Sequence, residues 1–316
     1  MSYPIDQKLV SAISSSALFD LTESDQVFRE HGEKAYREYQ QEHLHTPLGK
    51  GVAFPFVRRF LSINRKFPEQ CPVEVVLLSR TSAITGKRVF NSIVHHGLSI
   101  SRAAFLEGKS PYAYIPAFNA SLFLSANEDD VLQAIDYGHP AGTVLPSHVI
   151  DDEDDVELRI PFDFDGVIAD DASERVYKSG SLEEFQAHET SHSHIPHTPG
   201  PLADLFRKIS HLQHLEDQAL ANDKNYERVL RTAIVTARNA PSHERVITTL
   251  EHWGVNPNEV FLLGGMKKDR ILSVLKPHMF FDDQRSHLES EAGDIPMVHI
   301  PFGVANLVDI TPITSP

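Results

Sequence analysis

The stretch Arg159-Ile160-Pro161-Phe162-Asp163-Phe164-Asp165-Gly166-Val167 sets two carboxylates one residue apart at the end of an apolar run. On a strand, side chains alternate, so Asp163 and Asp165 leave it on the same side. Paired carboxylates held there suit an oxygen-ligated Mg²⁺ and a division of labour between nucleophile and acid. Three later stretches end in groups that complete such a plan. Thr232-Ala233-Ile234-Val235-Thr236-Ala237-Arg238 is apolar and β-branched until it reaches a hydroxyl able to donate to a phosphate oxygen. Arg238 follows at the edge of the same site, as a phosphate contact or a plain surface arginine. Phe261-Leu262-Leu263-Gly264-Gly265-Met266-Lys267-Lys268 ends in a glycine turn that delivers lysine, a point charge that neutralises phosphate. His278-Met279-Phe280-Phe281-Asp282-Asp283-Gln284 ends in two more carboxylates, fit to complete a metal's oxygen shell.

Each of these groups follows a short apolar run that reads as a buried strand. A helix is marked between two of the runs. Pro241-Ser242 starts it, Val246, Leu250 and Trp253 form its buried stripe, and Gly254 ends it. At that spacing Trp253 belongs to the core and not to a base-stacking platform. The fold class is therefore α/β, with a parallel sheet whose C-terminal strand ends form the ligand crevice. Pro161 removes a ladder donor from a strand expected to be central, which disturbs the local pairing but not the carboxylates.

The four stretches together resemble the haloacid dehalogenase superfamily of aspartate-nucleophile phosphatases. Phe-Asp-x-Asp-x-Val at 162–167, Val-Thr-Ala-Arg at 235–238, Trp-Gly-Val at 253–255 and Phe-Phe-Asp-Asp-Gln-x-x-His at 280–287 are similar to the cytosolic 5′-nucleotidase type I family. So are the strings at 12–20 and 51–57 in the amino-terminal half. The resemblance implies two Rossmann-like (haloacid dehalogenase-like) units, the second catalytic with a small helical cap. It implies Mg²⁺-dependent hydrolysis of nucleoside 5′-monophosphates, AMP and IMP being first trials. Asp163 would be the nucleophile and Asp165 the acid and base. Mg²⁺ would lie between Asp163, the backbone carbonyl of Asp165 and Asp282, with Asp283 as alternative ligand. Thr236 and Lys268, which the resemblance favours over Lys267, would stabilise the transferring group. Arg238, His188 and Phe164 are read as substrate-binding. The same motifs also suit a phosphatase for another small phosphate ester, and a nucleotide-sensing protein without turnover is the alternative from another class.

The chain has 316 residues, of which 41% are apolar and 23% charged, as in an ordinary globular protein large enough for two cores. The formal net charge of −15 disfavours nucleic acid and anionic membrane as partners. It also opposes an anionic substrate, so attraction must be local, from Mg²⁺, Lys268 and Arg238. No apolar run is long enough to span a bilayer, and the start at Met1 lacks a signal peptide's basic and apolar regions. A single cysteine, Cys71, rules out an intramolecular disulfide and fits a reducing cytoplasm. No oligomeric state follows from the sequence.

The acidic run Asp151-Asp152-Glu153-Asp154-Asp155 reads as a solvated linker between a unit at 1–150 and a unit at 156–316. The two units read alike. An offset of 149 positions brings Asp163 onto Ser14, Asp165 onto Ser16 and Gly200 onto Gly51; an offset of 157 brings Thr236 onto Ser79 and Asp282 onto Ser125. This is an internal duplication in which serines replace the first unit's carboxylates. Hydroxyls cannot hold a hard divalent cation in their stead. The first unit is thus packing support, or its old cleft holds a regulatory nucleotide.

A cap insertion is expected at about 170–228, with one or two short helices broken at Ser179-Gly180. Within it, His188-Glu189-Thr190-Ser191-His192 matches the H-E-x-x-H zinc pattern. Pro196 and Pro199 crowd the string and no third ligand element follows, so cap packing or substrate contact is the preferred role.

Overall fold

The computed structural model describes residues 3–148, 150–288 and 295–306. The first half supplies β1 (Leu9–Ile13), β2 (Phe19–Asp20), β3 (Gly49–Lys50), β4 (Val73–Ser79), β5 (Arg102–Phe105), β6 (Ala120–Ser125) and β7 (Ala141–Val144). The second supplies β8 (Leu158–Phe162), β9 (Leu230–Thr236), β10 (Glu259–Leu262), β11 (Phe280–Asp282) and β12 (Met297–His299). Strands β2 and β3 pair with each other. The other ten form one sheet in the order β10-β9-β8-β11-β12-β7-β6-β1-β4-β5. Neighbours are parallel except at β12–β7, where the halves meet antiparallel. Reading outward from that junction, each half presents its fifth, fourth, first, second and third sheet strands. The fold is therefore mixed α/β with a large, mostly parallel sheet.

Strands β1, β4 and β6 are buried at every position, as expected where helices cover both faces of a parallel sheet. Apolar side chains of both halves merge in one core cluster, in which Leu9, Ile13 and Phe60 join Ile160, Phe162 and Phe206. The helix His243–Trp253 carries its buried stripe as the spacing requires, and Gly254 ends it in the left-handed region (φ 64°). Trp253 packs against the core, with the Arg207 guanidinium 4.8 Å above its ring.

Pro161 sits in β8 between β9 and β11. Arg159 O accepts from His278 N (3.0 Å) and Asp163 N donates to Phe281 O (2.8 Å). Pro161 lies between these two on the same side of the strand, so its missing donor removes one rung toward β11. Pairing with β9 runs unbroken from Leu158 to Phe162, which keeps the strand end rigid.

The acidic run is not free in solvent. Asp151 is ion-paired with Arg58 (3.0 Å) and with Arg59 (2.7 Å), an arginine only 1% exposed. Asp155 pairs with Arg159. A like-charge block reads as solvated only if no cation meets it, and here the helix Phe54–Lys66 brings two. The segment between β8 and β9 folds as helices Ala172–Ser179, Leu182–Ser191 and Ala203–Asn222. A capping box at Ser181 and Glu184 restarts the chain after Gly180. The third helix buries Leu205, Phe206, Ile209 and Leu212 in the core, so it belongs to the sheet's covering layer. Among the described residues no helix is long and apolar enough to cross a membrane.

Candidate active site

Asp163, Thr236 and Asp282 stand at the C-terminal ends of β8, β9 and β11, and Lys268 follows the glycine turn after β10. All four are buried. Lys268 Nζ donates to Asp163 Oδ2 (2.9 Å) and to Asp282 Oδ2 (2.7 Å), so the end of one strand faces the end of the other across a single ammonium. Asp163 Oδ1 accepts from Phe164 N (2.7 Å), and Asp282 Oδ1 from Gln284 N (2.8 Å). Thr236 Oγ1 accepts from Arg238 N (3.3 Å), which leaves its own hydrogen free to donate.

One ammonium does not balance the carboxylates around it. Burial, then the charges of Asp163, Asp282 and Glu174, push Asp283 up to about 10. Burial raises Asp163 too, and Asp282 and Asp165 add to it against the pull of Lys268, so it reaches about 7. Asp282 goes the other way: burial raises it, but Lys268 and His287 outweigh that and carry it below its ordinary value. Lys268 in turn is lowered by burial and raised further by Asp163 and Asp282. Gly166 lets Asp283 approach. It adopts φ +72°, and a Cβ there would collide with the Asp283 carboxylate.

Both carboxylate oxygens of Asp283 are buried without a hydrogen-bond donor among the described residues. Orphaned buried oxygens beside two further carboxylates are what a hard divalent cation requires. Donor atoms of Asp163, Asp282 and His287 lie within 4.8 Å of one another. The residues therefore fit an oxygen-ligated cation. His287, at the end of the Phe-Phe-Asp-Asp-Gln-x-x-His string, adds an imidazole that the carboxylate reading passed over.

Asp165 faces a different environment. Arg238 Nε donates to its Oδ2 (2.7 Å) and Nη2 to its Oδ1 (2.7 Å). Arg238 Nη1 donates to Glu189 Oε2 on the helix Leu182–Ser191. Glu189 Oε1 accepts from Ser173 Oγ (2.7 Å) and Arg245 Nη1 (2.9 Å). Burial pushes Glu189 up, but His197, Arg238 and Ser173 together hold it well below the usual carboxylate range. Burial likewise opposes the charge on Arg238, and Asp165 and Glu189 more than restore it.

The three residues read as substrate contacts stand in different places. Arg238 is neither a surface arginine nor a free phosphate contact, since its guanidinium is only 3% exposed and is engaged by Asp165 and Glu189. Phe164 is fully buried, edge-on to His197, and offers a ligand no surface. The alternation that aims Asp163 and Asp165 together sends Phe164 to the opposite side. His188 is partly exposed, stacks on His192 at 4.2 Å and contacts Glu189 through Nδ1 (3.1 Å). It joins none of the carboxylates at the strand ends among its described contacts. In the H-E-x-x-H string it is the glutamate that turns inward, and His188 and His192 fall in no metal-binding group among the described residues.

A sequence profile described as 5′-nucleotidase matches residues 1–307. The chain is 33% identical over 284 residues to human "Cytosolic 5'-nucleotidase 1B", an alignment covering 88% of this chain and 46% of that protein. The chain thus spans about half the length of the curated relative it matches. No solved structure matches it.

Proposed function

Since the chain belongs to the 5′-nucleotidase family, we propose that it is a phosphoric monoester hydrolase acting on nucleoside 5′-monophosphates. The observation that carries the reading is the pair Asp163 and Asp282, bridged by Lys268 at neighbouring C-terminal strand ends, with Asp283 orphaned beside them. Asp163, Asp282 and Asp283 would hold Mg²⁺, with His287 at their side. Bound there, the cation supplies charge neutralisation for an approaching phosphate.

In this reading Asp163 attacks phosphorus as the bond to the 5′ oxygen breaks, giving an aspartyl-phosphate. Asp165, protonated on the oxygen that one arm of Arg238 releases as substrate enters, transfers that proton to the departing oxygen and nucleoside leaves. Asp165 then takes a proton from water, which attacks phosphorus and releases inorganic phosphate from Asp163. Thr236 donates to a phosphoryl oxygen and Lys268 offsets its charge. Resting Asp165 has both oxygens on Arg238, so at least one arm of that fork must yield when the proton moves.

We read the two halves as one duplicated unit. Ser14, Ser79 and Ser125 occupy in the first half the strand-end positions of Asp163, Thr236 and Asp282. These serines bond among themselves and their neighbours, Ser14 to Ser16 (3.0 Å) and Ser15 to Ser79 (2.8 Å). That favours packing support at 1–150 over a regulatory nucleotide. The cap of the 156–316 unit reduces to helices Ala172–Ser179 and Leu182–Ser191. A cytosolic location is proposed on the relative's name.

A panel of nucleoside monophosphates and other small phosphate esters, assayed for phosphate release with Mg²⁺ and with chelator, tests the reading. Nucleotides should lead the panel, Mg²⁺ should be required, and Asp163→Asn should abolish turnover with an unchanged circular dichroism spectrum. Turnover surviving in Asp163→Asn removes the aspartyl-phosphate.

A further inference from the structure

Glu189 touches both the helix Ala172–Ser179, through Ser173, and the two guanidinium groups of Arg238 and Arg245. It is fully buried, and Arg238 is nearly so. A guanidinium has a fixed plane and a fixed set of donors. Here the edge bearing Nε and Nη2 meets Asp165 and the end bearing Nη1 meets Glu189. Anchoring one end of a rigid plane fixes the direction of its other edge. The carboxylate of Asp165 lies in that edge's grip, two residues from Asp163.

We propose that Glu189 is a positioning residue for the reaction, acting through Arg238 to hold the Asp165 carboxylate in line for proton transfer at the ester oxygen. The inference rests on the reading of Asp165 as acid and base. Without the Glu189 charge, Arg238 and Arg245 become two buried cations converging on a neutral group. Like charges in such a site separate. Arg238 then keeps Asp165 as its remaining anionic partner but loses the anchor that fixes the direction of the pair, while Asp163, Lys268 and Asp282 keep their bonds, none of which involves Glu189. The helix Leu182–Ser191 so reaches the chemistry through a buried ion-pair relay and needs no contact with the reacting atoms.

The test uses the full chain with Mg²⁺ and two esters. Adenosine 5′-monophosphate leaves as an alkoxide and needs the proton; p-nitrophenyl phosphate leaves as a stabilised phenolate and does not. General acid catalysis contributes about 10²–10⁴-fold. Glu189→Gln should lower kcat/KM, which reports the steps up to departure of the leaving group, by about 100-fold for the nucleotide, and the loss in kcat/KM for the phenyl ester should be at least about tenfold smaller. Asp165→Asn should show the same split, and the double variant should match it within about twofold. Glu189→Asp should recover part of the nucleotide rate. If Glu189→Gln does not fold, the comparison passes to Glu189→Asp and to Ser173→Ala, which removes one donor and keeps both guanidinium contacts. Equal losses on both esters, or losses that multiply in the double variant, overturn the proposal. Wild-type protein releasing phosphate from neither ester overturns the functional reading instead.

Discussion

Asp283→Asn should stabilise the metal-free protein. Both oxygens of Asp283 are buried without donors among the described residues, and the group is pushed up from 3.8 to about 10 by burial and by Asp163, Asp282 and Glu174. At pH 7 the folded protein therefore holds a proton that the unfolded chain has released. Keeping it costs about 1.4 kcal/mol for each pH unit above the ordinary value, or about 4 kcal/mol at pH 7. The sign follows from proton counts: the native state binds more protons, so stability is highest below the unfolded value and falls as pH rises toward about 10. Asparagine has no such proton to hold. In chelator, the variant should exceed wild type by up to about 4 kcal/mol at pH 7 and by almost nothing at pH 4. Mg²⁺ should reverse the order. A cation at 100 times its Kd stabilises wild type by about 2.7 kcal/mol, and the variant, short of one carboxylate, gains less. Urea unfolding at pH 4, 5.5 and 7, in chelator and in Mg²⁺, reads both effects. A variant less stable than wild type at pH 7 in chelator refutes the reasoning, and so does an equal gain from Mg²⁺ in both proteins.

Two further perturbations test other parts of the frame. Lys268→Met removes the ammonium shared by Asp163 and Asp282; breaking a buried pair in this way costs about 3–5 kcal/mol. The denaturation midpoint in chelator should drop accordingly and phosphate release should vanish, whereas an unchanged midpoint would mean the ammonium is not holding the strand ends together. Arg59→Ala frees the acidic linker, because Arg59 donates to the Asp151 carboxylate and the Asp152 carbonyl, both at 2.7 Å. A loss of about 3 kcal/mol is expected in urea titrations. Its kcat should stay near wild type, since Arg59 lies by His278 at the N-terminal end of β11, away from the strand ends that carry the site.

The carboxylates were legible in the sequence for a local reason. Asp163, Thr236 and Asp282 each end a short apolar run, and strand, turn and functional group are adjacent in the chain. Phe164, between the two aspartates, is buried just past the end of β8. Arg238 and Glu189 were harder. They lie 49 residues apart on a strand-end loop and a helix, and their bond depends on how that helix settles over β9. Helical spacing groups His188 with His192 but does not say which side of the turn the core will take, so the string reads as cap packing or substrate contact without showing that its glutamate turns inward onto Arg238. The acidic linker was legible only in part: Asp152, Glu153 and Asp154 are exposed as a like-charge run suggests, whereas the two arginines that meet Asp151 stand more than 90 residues earlier.

The two aspartates of the first motif stand in neighbourhoods that leave different amounts of charge unmatched. Asp163 and Asp282 share the Lys268 ammonium, Asp283 has no donor among the described residues, and the surplus appears as Asp163 and Asp283 raised far above their ordinary values. Such a cluster suits a divalent cation and, without one, keeps a proton on Asp283. Asp165 and Glu189 meet Arg238 and Arg245, two anions against two cations, and leave no surplus for a metal to take. A carboxylate beside a cation-deficient cluster is suited to face phosphorus with a metal's help. One gripped by a fixed guanidinium is suited to hold its direction while a proton passes. Environments that divide like residues in this way are how a single carboxylate pair comes to supply both a nucleophile and an acid. If the division is right, exchanging the two environments should be more damaging than deleting either aspartate's neighbour alone, because the chemistry depends on the contrast between them.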